Sequence, residues 1–156
     1  MRKLAIAVCA ILVAAFAVAA PASADSTSVK GTNAYKKLVV DNGNKNLVFT
    51  LTAPGPGCSK MKYLVVKFKD KDGTAYAMDG GCYGVDWIPS VVRGDKIVDC
   101  QGFSLKFDKK KDVWTGTIPR SCLKKLGGTI KVTESYIDNY SPAPGEVPAT
   151  GWVKQG

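Results

Sequence analysis

The stretch Asp99-Cys-Gln-Gly-Phe-Ser-Leu-Lys-Phe-Asp-Lys-Lys-Lys-Asp-Val-Trp-Thr-Gly-Thr-Ile-Pro-Arg-Ser-Cys-Leu123 decides the fold. Apolar and polar residues alternate from Phe103 to Phe107, which is the period of a half-buried strand. A charged turn with three lysines follows. The β-branched residues around Trp114 predict a return strand, which ends at Pro119 because proline cannot donate to a ladder. The stretch therefore predicts one β-hairpin.

Further strands are predicted on both sides of this hairpin. Each is short, alternates in polarity and is bounded by turn residues: Lys37–Val40, Asn46–Thr52, Met61–Lys69, Thr74–Met78 and Thr129–Ile137. Seven or eight such strands predict an all-β protein, specifically an antiparallel β-sandwich, with a small β-barrel as the alternative.

Three segments lack a clear strand pattern. We expect the polar segment Asp25–Ala34 to be a loose N-terminal arm. The segment Tyr83–Gly94 contains a tryptophan and a proline, and is predicted to be a loop between sheets with a brief edge strand. The Pro-rich segment Asp138–Gly156 is predicted to be a packed C-terminal tail, with one short strand near its end.

Residues 1–24 have the pattern of a secretory signal peptide. Arg2 and Lys3 are basic, Leu4–Ala20 is apolar, and Ala22-Ser-Ala24 fits the small-x-small cleavage pattern. Because the apolar run is short for a membrane span, we expect cleavage and no remaining span. The sequence thus predicts a secreted, extracellular protein with a single domain of residues 25–156.

Four cysteines remain after cleavage, namely Cys58, Cys82, Cys100 and Cys122. An even number in a small secreted domain predicts two disulfides, although three connectivities are possible. We expect neighbours in sequence to pair, Cys58 with Cys82 and Cys100 with Cys122, the second pair joining the open ends of the hairpin. A metal site is disfavoured, because the chain has no histidine and no Cys-x-x-Cys pair.

The chain is basic, with 22 Lys and Arg against 13 Asp and Glu and a net charge of +9. Loss of Arg2 and Lys3 with the signal peptide leaves about +7. Scattered lysines favour solubility, whereas clusters such as Lys109–Lys111 and Lys124–Lys125 would attract an anionic cell-wall polymer or polysaccharide. Nucleic acid is not expected as a partner, because basic and aromatic residues do not interleave along one stretch.

The lack of histidine also restricts catalysis. Ser-His-Asp and Cys-His nucleophilic catalysis are excluded as they are normally built, and no pair of carboxylates is singled out by its spacing. The sequence therefore predicts a non-enzymatic protein without a cofactor or a metal, and we expect a monomer.

The candidate binding residues are Trp87, Tyr83, Asp86 and Trp152. Trp87 lies in the predicted loop with Tyr83 and Asp86 close by, an arrangement that favours stacking against a sugar ring. Packing in the core is the alternative for these aromatic side chains.

The run Ile118-Pro-Arg-Ser-Cys-Leu123, together with Cys100, resembles a group of small secreted actinobacterial proteins of unassigned function. The resemblance covers most of residues 38–153 and implies a sandwich-like fold, with Cys58 and Cys82 as an addition to the usual pair. It implies no activity.

We therefore predict a secreted, non-enzymatic β-sandwich that binds a cell-envelope or environmental polysaccharide. One alternative is a protease inhibitor, in which the loop Pro54–Lys60 enters a protease cleft and Lys60 or Lys62 fills the specificity pocket. The other alternative is a purely structural extracellular protein.

Overall fold

The computed structural model describes residues 25–33, 35–55, 63–83, 86–138 and 145–156. In these ranges the chain is all-β, with two antiparallel sheets and one 3₁₀ turn at Arg120–Cys122. The smaller sheet has the order β1 (Asp25–Lys30), β2 (Lys37–Asn42), β3 (Asn46–Thr52), β9 (Val113–Pro119) and β8 (Ser104–Asp108). The larger sheet has the order β11 (Gly145–Val147), β10 (Thr129–Asp138), β4 (Tyr63–Asp70), β5 (Ala75–Tyr83), β6 (Asp86–Arg93) and β7 (Lys96–Ile97), and β12 (Val153–Lys154) pairs with β10.

The two sheets pack face to face, so the predicted sandwich is supported and the barrel alternative is not. Every second residue of β3 and β4 is buried between the sheets. The rings of Phe49 and Phe68, one from each sheet, have centroids 5.2 Å apart. A Cβ at Gly116 would overlap the Sδ of Met78 on the opposite sheet. Glycine therefore permits the close approach of β9 to β5.

The central hairpin is confirmed as β8 and β9. Its strands pair from Ser104 opposite Thr117 to Asp108 opposite Val113. Cys100 and Cys122 form a disulfide with their Cα atoms 5.2 Å apart.

The second predicted pairing involves Cys58, which lies outside the described residues. Cys82 is held in a disulfide, and its pairing with Cys58 stays a prediction.

The described residues contain twelve strands rather than seven or eight, because several short or polar edge strands were not anticipated. The expected loose arm instead contributes β1, which pairs with β2 along its whole length, from Asp25 opposite Asn42 to Lys30 opposite Lys37. Its Ser and Thr residues hide the alternation in polarity. The backbone ladder to β2 supplies the order that few apolar side chains would give.

The predicted loop around Trp87 is wrong, since residues 86–93 form β6. Proline is tolerated in an edge strand, where a missing N–H leaves no neighbour unsatisfied. β6 is nearly such a strand, because β7 pairs only with Val92 and Arg93 and leaves the Pro89 edge open.

The C-terminal segment packs on the sandwich and holds β12 beside β10. The Asn42 side chain donates hydrogen bonds to the carbonyl oxygens of Gly128 (3.1 Å) and Val153 (2.8 Å). The Arg120 guanidinium donates to the Asn42 side-chain oxygen, and its burial lowers the pKa of this residue. These contacts fix the residues on either side of Val153. The predicted signal peptide, residues 1–24, lies outside the described residues.

Candidate functional site

Trp87, the leading candidate from the sequence, faces the interior of the sandwich. It pairs with Cys82 across β5 and β6, two positions from Pro89 opposite Gly80. A Cβ at Gly80 would overlap the Trp87 indole, so the glycine makes room for the ring. The indole is partly buried and packs against the hydrophobic core.

Trp87 belongs to a cluster of three aromatic rings between the sheets. Its ring lies 5.4 Å from that of Trp114, and the ring of Phe107 lies 5.0 Å from Trp114 on another side. Trp114 Nε1 donates a 2.8 Å hydrogen bond to the Pro54 carbonyl, whereas Trp87 Nε1 is shielded from solvent with no partner among the described residues. Such contacts stabilise packing and leave the ring poorly placed for stacking on a polymer.

The other three candidate residues do not assemble around Trp87. Tyr83 and Asp86 pair at the end of β5 and β6; Asp86 is exposed, and the side chain of Tyr83 lies outside the described residues. Trp152 is 45% exposed and lies under the ammonium of Lys131 on the outer surface. Counting along β5, Trp87 and Trp152 are roughly 23 Å apart at about 3.3 Å per residue.

The larger sheet instead carries a continuous depression on its outer face, which we call the trough. Tyr76 and Met78 of β5 point into the core, so the residues between them point outward. On this outward side β5 has short side chains, whereas its neighbours have longer ones. The floor is Ala75, Ala77, Asp79 and Gly81; one wall is Tyr63, Val65, Lys67 and Lys69 of β4; the other is Ile88, Ser90 and Val92 of β6 with Ile97 of β7.

The trough is long and its walls are exposed. Two adjoining depressions, each of about 390 Å³, share Val65 and Asp79. From Tyr63 to Lys69 the wall extends roughly 20 Å, and the two walls are about 9–10 Å apart, twice the strand spacing. Tyr63 is 40% exposed, Ile88 50% and Ile97 75%. These are three of the four large apolar side chains that are exposed in the described ranges, the fourth being Trp152.

Polar groups are few within the trough, and most of them are paired. Ser90 Oγ donates a hydrogen bond to Asp79 Oδ1 at the centre of the floor. Lys67 donates to Glu134 at 2.7 Å, and this hydrogen bond raises the pKa of Lys67. The Lys67 ammonium also lies 5.9 Å from the ring of Tyr136. The trough can thus offer apolar surface for stacking and a carboxylate–hydroxyl pair for a ligand hydroxyl.

The sequence gave only a partial signal for this surface. The alternation of Ala75 and Ala77 with larger core residues is visible in the chain, as is the outward Tyr63. Their juxtaposition depends on the register of β4, β5 and β6, which no single strand pattern specifies.

Two further predictions have only limited structural evidence. Most of the loop Pro54–Lys60, proposed as an inhibitory segment, lies outside the described residues. Within the described ranges, no group of three His, Cys, Asp or Glu side chains could hold a metal ion. No helix in those ranges is long and apolar enough to cross a membrane.

Comparison with known proteins adds no family to this description. No protein-family model, no curated protein and no solved structure matches the chain.

Proposed function

We propose that this protein is a secreted, non-enzymatic β-sandwich that binds an extracellular polysaccharide along the trough of its larger sheet. The observation that carries the proposal is the size pattern of the outward residues, which are short on β5 and long on both flanking strands. A linear polymer has the shape that such an open, elongated depression accommodates.

The chemistry of the trough agrees with a sugar ligand. Sugar rings present an apolar face, which can stack on an aromatic ring such as that of Tyr63, and hydroxyl groups at their edges. Asp79 and Ser90 can exchange hydrogen bonds with those hydroxyls, because they lie one cross-strand row away from Tyr63. Few other polar groups are needed, as binding sites are mostly apolar with a small number of placed polar groups.

The test is retention of the mature protein on a panel of insoluble polysaccharides, comparing Tyr63→Ala with Val39→Ala on the outer face of the smaller sheet. Removal of one stacking ring costs about 1–3 kcal/mol in base-binding proteins, and we expect a similar loss for a sugar, roughly tenfold or more in affinity. Val39→Ala should leave retention unchanged. Absence of retention on every polysaccharide, or equal loss in both variants, would contradict the proposal.

A further inference from the structure

We infer, building on the proposed function, that the polysaccharide is anionic and that its acidic groups bind a lysine cluster at one end of the trough. The cluster consists of Lys69, Lys131 and Lys154, with Trp152 beside them. Lys69 lies directly opposite Lys131 across β4 and β10, and Lys154 lies opposite Thr129. Because Ile130 and Val153 point into the core, these lysines lie on the outer face.

The charge of this cluster is uncompensated. Like charges directly opposite each other on neighbouring strands destabilise a sheet. Lys67, one outward position away, is neutralised by Glu134, but none of the three cluster lysines forms an ion pair with an acidic residue of the described ranges. A bound anion would relieve the repulsion between Lys69 and Lys131.

Trp152 positions one of these charges without removing it. The Lys131 ammonium lies 5.0 Å from the centre of the Trp152 ring. A cation–π contact orients an ammonium through the ring quadrupole and leaves the net positive charge in place. The exposed indole therefore presents a fixed cation beside an apolar surface.

The other charges near the trough fit an acidic polymer with spaced charges. Asp79 on the floor is about 13 Å from the row of Lys69 and Ala75, counted along β5. Its carboxylate would repel an acidic group but accept a bond from a hydroxyl. In the turn after β4, Lys71 and Asp72 are exposed and opposite in sign. An acidic sugar unit at the lysine cluster and a hydroxyl-rich unit at Asp79 satisfy both ends.

The experiment compares polygalacturonate with its methyl-esterified form, which has the same backbone without the charge. We expect the wild-type protein to bind polygalacturonate about tenfold more tightly at low salt, as two exposed ion pairs together would give. The double variant Lys69→Gln/Lys131→Gln should lose this preference while still binding the ester. The matched control is Lys37→Gln/Lys106→Gln, which removes the same charge from the outer face of the smaller sheet and should keep the preference.

The outcomes separate this inference from the proposed function. Binding of both polymers with equal affinity, abolished by Tyr63→Ala, would overturn the anionic preference and retain the polysaccharide site. Equal loss of the preference in both double variants would overturn the lysine cluster in favour of overall net charge. Failure to bind either polymer, or any member of the polysaccharide panel, would overturn the proposed function itself.

Discussion

The outer faces of the two sheets differ in relief. On the smaller sheet, neighbouring strands present short β-branched side chains of nearly equal length, and the centre of the face is even: Val39, Val48, Thr50, Thr52, Val113, Thr115 and Thr117. On the larger sheet, alanines on β5 lie between longer side chains on β4 and β6. Both faces satisfy the same strand period, so the difference in side-chain length decides which face can enclose part of a ligand.

The largest expected effect concerns the scaffold that both faces share. Trp87→Ala should lower the free energy of unfolding by about 3 kcal/mol, because it removes a ring packed against Trp114 and over Gly80. Chemical denaturation measures this change. Trp152→Ala is the control and should alter stability by no more than about 0.5 kcal/mol, since its ring lies on the surface. A Trp87→Ala protein of unchanged stability that no longer binds polysaccharide would move the site away from the trough.

A substitution that fills the trough should have the next largest effect. Ala77→Tyr places a ring on the floor between Lys67 and Val92, where it should reduce polysaccharide affinity by at least about tenfold, or 1.4 kcal/mol. Thr50→Tyr adds a comparable ring to the even face and should leave affinity unchanged. Affinity measured for both variants on the same polymer checks the prediction. A larger loss from Thr50→Tyr would reverse the roles of the two faces.

The smallest expected effect is a pH dependence specific to the larger sheet. Burial alone would raise the pKa of Asp70, but hydrogen bonds from the backbone N–H groups of Gly127, Thr74 and Asp72 outweigh it and hold the pKa below its ordinary value of 3.8. The carboxylate therefore stabilises the fold at a pH above that value, and this contribution is lost as the pH falls through the lower, folded-state pKa.

The check is the difference in unfolding free energy between the wild type and Asp70→Asn, measured from pH 7 down to pH 2.5. We expect a positive difference that is constant above about pH 5 and shrinks below the ordinary pKa of 3.8. A difference that stays constant through the acid range would show that the Asp70 hydrogen bonds do not depend on its charge.

The sequence predicted the long, regular strands because alternation is local information. β3, β4 and β10 bury every second side chain, and the hairpin of β8 and β9 has turn residues between alternating runs. β1 was missed because Ser and Thr replace apolar residues, and β6 because Pro89 normally interrupts a strand. Both are stabilised by a neighbouring strand rather than by their own pattern.

The candidate site was harder to predict because it is a property of register. Trp87 attracted attention as an aromatic residue beside glycine and proline, but its direction depends on its position opposite Cys82. Tyr63 and Ala77 carry no local signal of a binding role. They form part of one surface only because three strands align, which requires the structure.

The central claim is that a polysaccharide occupies the outer face of the larger sheet. The most direct measurement is an NMR titration of the ¹⁵N-labelled mature protein with soluble oligogalacturonate. We expect the largest amide shifts in β4, β5 and β6, around Val65, Ala77 and Asp79, with little change in β2, β3 and β9. Shifts concentrated on the smaller sheet, or no saturable shifts on either face, would contradict the claim.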